Sequence, residues 1–127
     1  MTEFIEAGAT LPASDFERAK AFYGGTLGLQ LLMDTAGGAL YQAGSSRLFV
    51  YPSEFAGTNK ATAATFAVAD AAAVVEELRG KGVTFEEYDL PDLKTENGIA
   101  EIEGVKGAWF KDPEGNILAL TEMPPTG

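Results

Sequence analysis

Apolar and polar residues alternate with the period of a β-strand along most of this chain and switch to helical spacing only twice. Phe4 to Leu11 reads as a first strand. Phe16, Ala19, Phe22 and Tyr23 then recur at helical spacing, behind a capping box made by Ser14 and Glu17 and ahead of the glycine exit Gly24-Gly25. Leu29–Asp34, Ala39–Ala43 and Arg47–Tyr51 read as three strands, punctuated by Gly37-Gly38 and Gly44-Ser45-Ser46. A polar connector, Pro52 to Lys60, leads to a strand at Thr62–Ala69. Asp70 then caps a helix that carries Val74, Val75 and Leu78 and closes at Gly80 and Gly82. Val83–Tyr88 reads as the next strand, and Asp89–Gly104 as one long loop, a length that is uncommon unless the loop covers a site. Gly107–Glu122 completes the chain as a hairpin.

The order is therefore βαβββ twice, in residues 1–52 and 61–127 of one domain spanning 1–127. Each unit is expected to form a curved antiparallel sheet with a helix on its outer face. Two such sheets side by side make a cup with a concave interior, an α+β architecture.

The last hairpin is the most specific stretch. In Trp109–Leu120, Asp112, Pro113 and Gly115 occupy the first, second and fourth positions of a type I turn, with Asp112 able to bond the backbone two residues on. This run resembles the last hairpin of the vicinal oxygen chelate superfamily, of glyoxalase/bleomycin resistance/dioxygenase type. Pro12–Leu29, with Phe22-Tyr23 and Leu27-Gly28-Leu29, is similar to that superfamily too, and the resemblance covers almost the whole chain.

Composition narrows the chemistry. The 127 residues are 46% hydrophobic, enough for one core, and no apolar run approaches the roughly 20 residues that span a bilayer. The start, Met-Thr-Glu-Phe-Ile-Glu, is acidic where a signal peptide is basic, so a cytoplasmic protein without a membrane partner is expected. The chain has no cysteine and no histidine, which removes thiolate nucleophiles, zinc-thiolate sites, and the commonest metal ligand and general base. A net charge of −10 argues against nucleic acid, and suits either a cationic ligand or plain solubility.

The resemblance implies a metal held by His, Glu or Gln on the first and last strands of each half. Carried over by motif, those positions are Gly8, Val50, Ala64 and Ala119, none of which can bind a metal, so no cofactor is expected. Strand alternation adds Thr10, Leu48, Phe66, Ile117 and Thr121 to that face, and leaves Leu118 and Leu120 for the core. Trp109 matches an aromatic that reaches the substrate in the fosfomycin-resistance enzymes. The expected ligand-binding set is thus Thr10, Leu48, Val50, Ala64, Phe66, Trp109, Ala119 and Thr121.

Glu6 and Glu54, at strand ends, read either as oxygen ligands for a hard cation or as solvated rim charges. The hydroxyls of Thr10, Thr121, Tyr41 and Tyr51 have no activating base nearby in sequence. The carboxylates from Glu86 to Glu103 match no calcium loop, and Lys94 is the cation of a lid-like segment. The expected function is metal-free binding or sequestration of a small apolar, aromatic or cationic molecule, in a chain that the resemblance implies to be a homodimer. The alternative is a glyoxalase-type lyase or isomerase using an atypical oxygen-ligand metal or carboxylate acid–base chemistry.

Overall fold

β1 (Ala9–Ala13) is a strand of five residues. In a computed structural model, which describes residues 2–123, β1 runs parallel to β4 (Ser46–Pro52) from the pair Ala9–Leu48 to the pair Ala13–Pro52. β4 extends only two residues beyond Leu48, to Ser46, so the residues before Ala7 have no partner in it; the strand expected from Phe4 begins at Ala9, and Phe4 and Ile5 stand exposed.

The described chain divides into two units, Met1–Asn59 with Asp112–Asn116, and Lys60–Lys111 with Ile117–Gly127. In the first, β1 leads to α1 (Phe16–Lys20), a π-helical turn (Ala21–Thr26), β2 (Gln30–Thr35), β3 (Gly38–Ala43) and β4. The π turn closes through the Leu27 N–H donating to the Phe22 carbonyl at 2.9 Å, and it carries Gly24-Gly25, where helical geometry is least favoured. The strands lie in the order β1-β4-β3-β2. The β1–β4 pair is parallel and the others antiparallel, so the sheet is mixed where a wholly antiparallel one was expected. The helix leaves one strand end and the chain must cross the sheet to return beside it, which makes those two strands run the same way.

The register fixes the faces. Leu11, Val50 and Ala39 lie side by side, as do Leu48 and Tyr41, and these residues are at most 3% exposed. The Tyr41 ring packs against Tyr23 of the π turn at 6.2 Å, so this is the face under the helix. Thr10, Phe49 and Leu40 form a row on the opposite face.

The second unit repeats the topology. β5 (Thr62–Val68) precedes α2 (Ala71–Gly80), whose N-terminus Asp70 caps by accepting from the Ala73 N–H at 3.1 Å, as the sequence predicts. Val75 and Leu78 are its buried stripe, joined by Ala71, whereas Val74 is only half-buried. β8 (Ile99–Ile102), β9 (Val105–Lys111) and β10 (Ile117–Glu122) then form the sheet β5-β10-β9-β8, with β5 parallel to β10. Phe110, Leu118, Leu120 and Ala108 are buried on its helix side.

Two expectations fail in this unit. Val83–Tyr88 is no strand: only Phe85 bridges Phe110 and the Glu86 N–H reaches the Trp109 carbonyl at 2.8 Å, because β8 already occupies the rest of that edge of β9. The segment from Asp89 is not one loop either. It holds a small hairpin of β6 (Asp89–Leu90) and β7 (Leu93–Lys94), and then β8. Asn97-Gly98, both at positive φ (54° and 80°), make the hairpin turn into β8, with Glu96 and Ile99 exchanging backbone hydrogen bonds across it. Asn-Gly is the strongest short hairpin signal, and it was legible in the sequence.

The turn between β9 and β10 is counted with the first unit because its polar side chains are satisfied there. The Gly115 N–H donates to the Asp112 carbonyl at 3.1 Å and Gly115 sits at φ +87°, as the predicted turn requires. The Asp112 carboxylate accepts from the Glu114 and Asn116 N–H groups at 2.9 and 2.8 Å, from Asn116 Nδ2 at 2.8 Å and from the Tyr23 hydroxyl at 2.5 Å. Burial first, and then the charge of Asp112, push the Tyr23 hydroxyl far above its ordinary range, so it stays a donor.

Glu114 is 6% exposed and organises the start of α1. Its carboxylate accepts from Ser14 Oγ at 3.0 Å, the Asp15 N–H at 2.8 Å and Arg18 Nε at 2.6 Å. Ser14 is therefore not the cap: Asp15 takes that place, accepting from the Arg18 N–H at 3.1 Å, and Glu114 reaches back to the cap's own N–H in place of Glu17. Burial raises the Glu114 pKa, but the hydrogen bonds from Arg18, Asp15 and Ser14 outweigh it and hold the carboxyl below its ordinary 4.5.

A carboxyl whose pKa is lowered by folding stabilises the fold above its unfolded value and stops doing so as pH falls through the folded value. Glu114→Gln is expected to lower stability by about 2 kcal/mol at neutral pH, because a buried charged acceptor is lost. Urea denaturation from pH 7 downward checks it. The wild-type advantage holds until the pH falls to about 4.5 and shrinks below it; a difference that stays constant to pH 2 would show that the charge of Glu114 is not what counts.

Candidate functional site: the open face of the second sheet

Three strands abreast place Thr65, Ala119 and Trp109 in one row, and the next row holds Ala67, Thr121 and Gly107. These residues face away from the row of Ala64, Leu118 and Phe110, of which the last two are fully buried. Together with Thr62, Ala100, Ile102, Val105, Lys106 and Leu120, five of them (all but Ala67) line a cavity of about 380 Å³. That volume lies within the roughly 300–1,000 Å³ typical of small-molecule sites.

The hollow exists because its floor is small. Ala119 fills little of the space between β5 and β9, and Gly107 has no side chain. A Cβ at Gly107 would lie 3.2 Å from the Leu120 carbonyl oxygen and 3.8 Å from Trp109 Cη2, so the far edge of the indole extends over the glycine. The near side of the indole is met edge-on by Tyr88, with ring centroids 5.7 Å apart and planes at 87°. Tyr88 is itself held by hydrogen bonds with Thr95: its N–H donates to Thr95 Oγ1 at 2.7 Å and its carbonyl accepts from the Thr95 N–H at 2.9 Å. The wall of the cavity is thus anchored by the root of the β6–β7 hairpin.

The eight residues expected to bind ligand separate. Trp109, Ala119 and Thr121 come together at the cavity. Ala64 and Phe66 sit beside Leu118 and Leu120 on the helix side, one residue out of step with Thr65. In the first unit Leu48 and Val50 also face the helix, 3% and 0% exposed, while Thr10 lies on the open face beside Phe49. The expectation that Thr10 and Val50, or Ala64 and Ala119, share a face is corrected by the registers: a slip of one residue turns a side chain over. Thr65 was missed for that reason.

The open face of the first sheet carries large side chains. Phe49 and Tyr51 stack there at 6.4 Å with planes 7° apart, and the Phe49 ring lies against the backbone of Gly38. Tyr41 points under the helix.

The residues do not fit a metal. The open-face positions are Thr10, Phe49, Thr65 and Ala119, and the chain has no histidine or cysteine to add. Among the described residues no three of Asp, Glu, His and Cys converge on one point. Glu6 is paired with Arg47, and Glu54 is exposed beyond β4. In the acidic stretch, Glu86 approaches Lys111 at 3.8 Å. Lys94, Glu96 and Glu101 line a separate polar hollow of about 580 Å³, apart from Trp109.

Residues 7–120 match the family model of the Glyoxalase/Bleomycin resistance protein/Dioxygenase superfamily. Among solved structures, the chain is similar to a bleomycin-binding protein from Streptomyces verticillus complexed with copper(II)-bleomycin (25% identity, TM-score 0.74, 97% of this chain and 99% of that one). It is similar to a glyoxalase family protein from Enterococcus faecalis (23%, 0.72, 94% and 98%) and to a lactoylglutathione lyase from Agrobacterium tumefaciens (19%, 0.67, 96% of each). Among curated proteins, none matches the sequence. No helix among the described residues is long and apolar enough to cross a membrane.

The assignment of faces predicts opposite outcomes for two substitutions. Val50→Ala, in the fully buried row, is expected to lose about 2 kcal/mol of stability. Thr65→Val, on the open face, is expected to stay within about 0.5 kcal/mol of wild type. Chemical denaturation of the two variants measures both, and equal losses would reverse the assignment.

Proposed function

The chain belongs to the glyoxalase/bleomycin resistance protein/dioxygenase superfamily, and from that membership we propose that it is a metal-free binding protein that sequesters a small apolar or aromatic molecule. The observation that carries this reading is the cavity on the second sheet, where an indole wall stands over a floor of Ala119 and Gly107. Such a site offers contact area and a stacking surface, together with the hydroxyls of Thr65 and Thr121. It offers no nucleophile with an activating base and no donor set for a metal, so the chemistry it supports is recognition. Bleomycin-binding proteins of the same fold provide the precedent for binding as a function. The lyase alternative finds no support at Glu6, which is paired with Arg47, or at Glu54, which is exposed beyond β4.

As part of the same reading the protein acts in the cytoplasm as a homodimer. Its exposed apolar residues support association: Leu31, Leu32 and Met33 lie together on β2, an edge strand whose outer backbone groups are unpaired within the sheet.

Two measurements test the proposal. Screening of small aromatic compounds by quenching of Trp109, the single tryptophan, is expected to find ligands. Ala119→Leu, which fills the floor, then weakens them at least about tenfold while the protein stays folded. Unchanged affinity would move the ligand out of this cavity. Light scattering is expected to give twice the chain mass; a monomer at micromolar concentration would remove the dimer.

A further inference from the structure

The charge of the whole molecule and the charge of its cavity disagree. The chain carries 19 acidic residues and a net charge of −10, so the summed field attracts cations. Yet no Asp or Glu lines the cavity under Trp109. The single charged residue bordering it, Lys106, alternates with Ala108 and Phe110 toward the helix side and stands directly opposite Glu101 across the strand pair. Apart from Lys106 at its border, the site presents no charge of its own. Its polar groups are the hydroxyls of Thr65 and Thr121, which make no hydrogen bond with any described residue and are free to donate or accept.

Local chemistry decides here, because the field of distant surface charges is screened over roughly 8–10 Å at physiological salt. A cation entering this hollow gives up hydration and meets no carboxylate, a cost that attraction to the indole face repays only in part, and an anion finds only Lys106, at the border and opposite Glu101. An uncharged polar group loses less and finds the two hydroxyls waiting. Resting on the binding function proposed above, we infer that the ligand is an uncharged planar aromatic molecule. It lies against the Trp109 indole over Ala119 and Gly107, with a carbonyl, amide or hydroxyl group turned toward Thr65 and Thr121. This excludes the cationic ligand that the net charge suggests.

Three flat probes of nearly equal size separate the possibilities: naphthamide, which is neutral, naphthoate, an anion, and naphthylmethylammonium, a cation. Calorimetric titration at neutral pH and physiological ionic strength is expected to show naphthamide binding about tenfold or more tighter than either ion. Ala119→Leu abolishes that binding. Thr65→Val with Thr121→Val reduces it several-fold toward the affinity of unsubstituted naphthalene, which the double variant leaves unchanged. Tightest binding of the cation or of the anion overturns the inference while leaving a binding site in place, as does naphthamide binding that survives Ala119→Leu. If no probe binds, naphthalene included, the binding function falls and this inference with it.

Discussion

Stripping a carboxylate of water is costly, and Asp112 meets that cost with four donors drawn from two parts of the chain. Two are the N–H groups of its own turn, one is the amide of Asn116, and one is the Tyr23 hydroxyl from the π turn. Asn116 also donates through Nδ2 to the Pro12 carbonyl of β1 at 2.8 Å. The neighbouring Glu114 gathers Ser14, Asp15 and Arg18. A five-residue α-helix has little stability of its own, and this one starts where it does because a carboxylate from far along the chain accepts the N–H of its cap, Asp15. The turn thus sets where β1 ends and α1 begins.

The two sheets share one strand order but differ in what stands on their open faces. In the first, Phe49 and Tyr51 cover the face with their own stacked rings. In the second, Ala119 and Gly107 leave a depression, and Trp109 is held at its side by Tyr88. Topology alone would make the two faces equivalent. The size of the residues differs between them, large rings on one and Ala119 with Gly107 on the other, in keeping with the rule that function is set by sites placed on folds rather than by the folds themselves.

Much of the architecture was determined by the sequence itself. Local signals specified the two helices, the Asp70 cap, the order of strands in the first half, and the Asp-Pro-Glu-Gly turn, because each depends on residues close together in the chain. The absence of histidine and cysteine was equally readable, and it bounded the chemistry before any fold was known. Trp109, Ala119 and Thr121, expected from the resemblance and from strand alternation, share one face because they lie on a long strand pair whose turn fixes its own register.

What tertiary structure alone decided were the relations between strands distant in sequence. Parallel pairing of β1 with β4 and of β5 with β10 has no connecting turn to set its register, so Val50, Leu48, Ala64 and Phe66 could be placed on the wrong face by a slip of one residue. The helix cap moved from Ser14 to Asp15 because Glu114, remote in sequence, supplies the acceptor that Glu17 was expected to provide. Side-chain period and turn chemistry are local properties that a sequence displays directly. Register across a parallel pair and the partner of a buried carboxylate are set by packing energy, which exists only once the chain has folded.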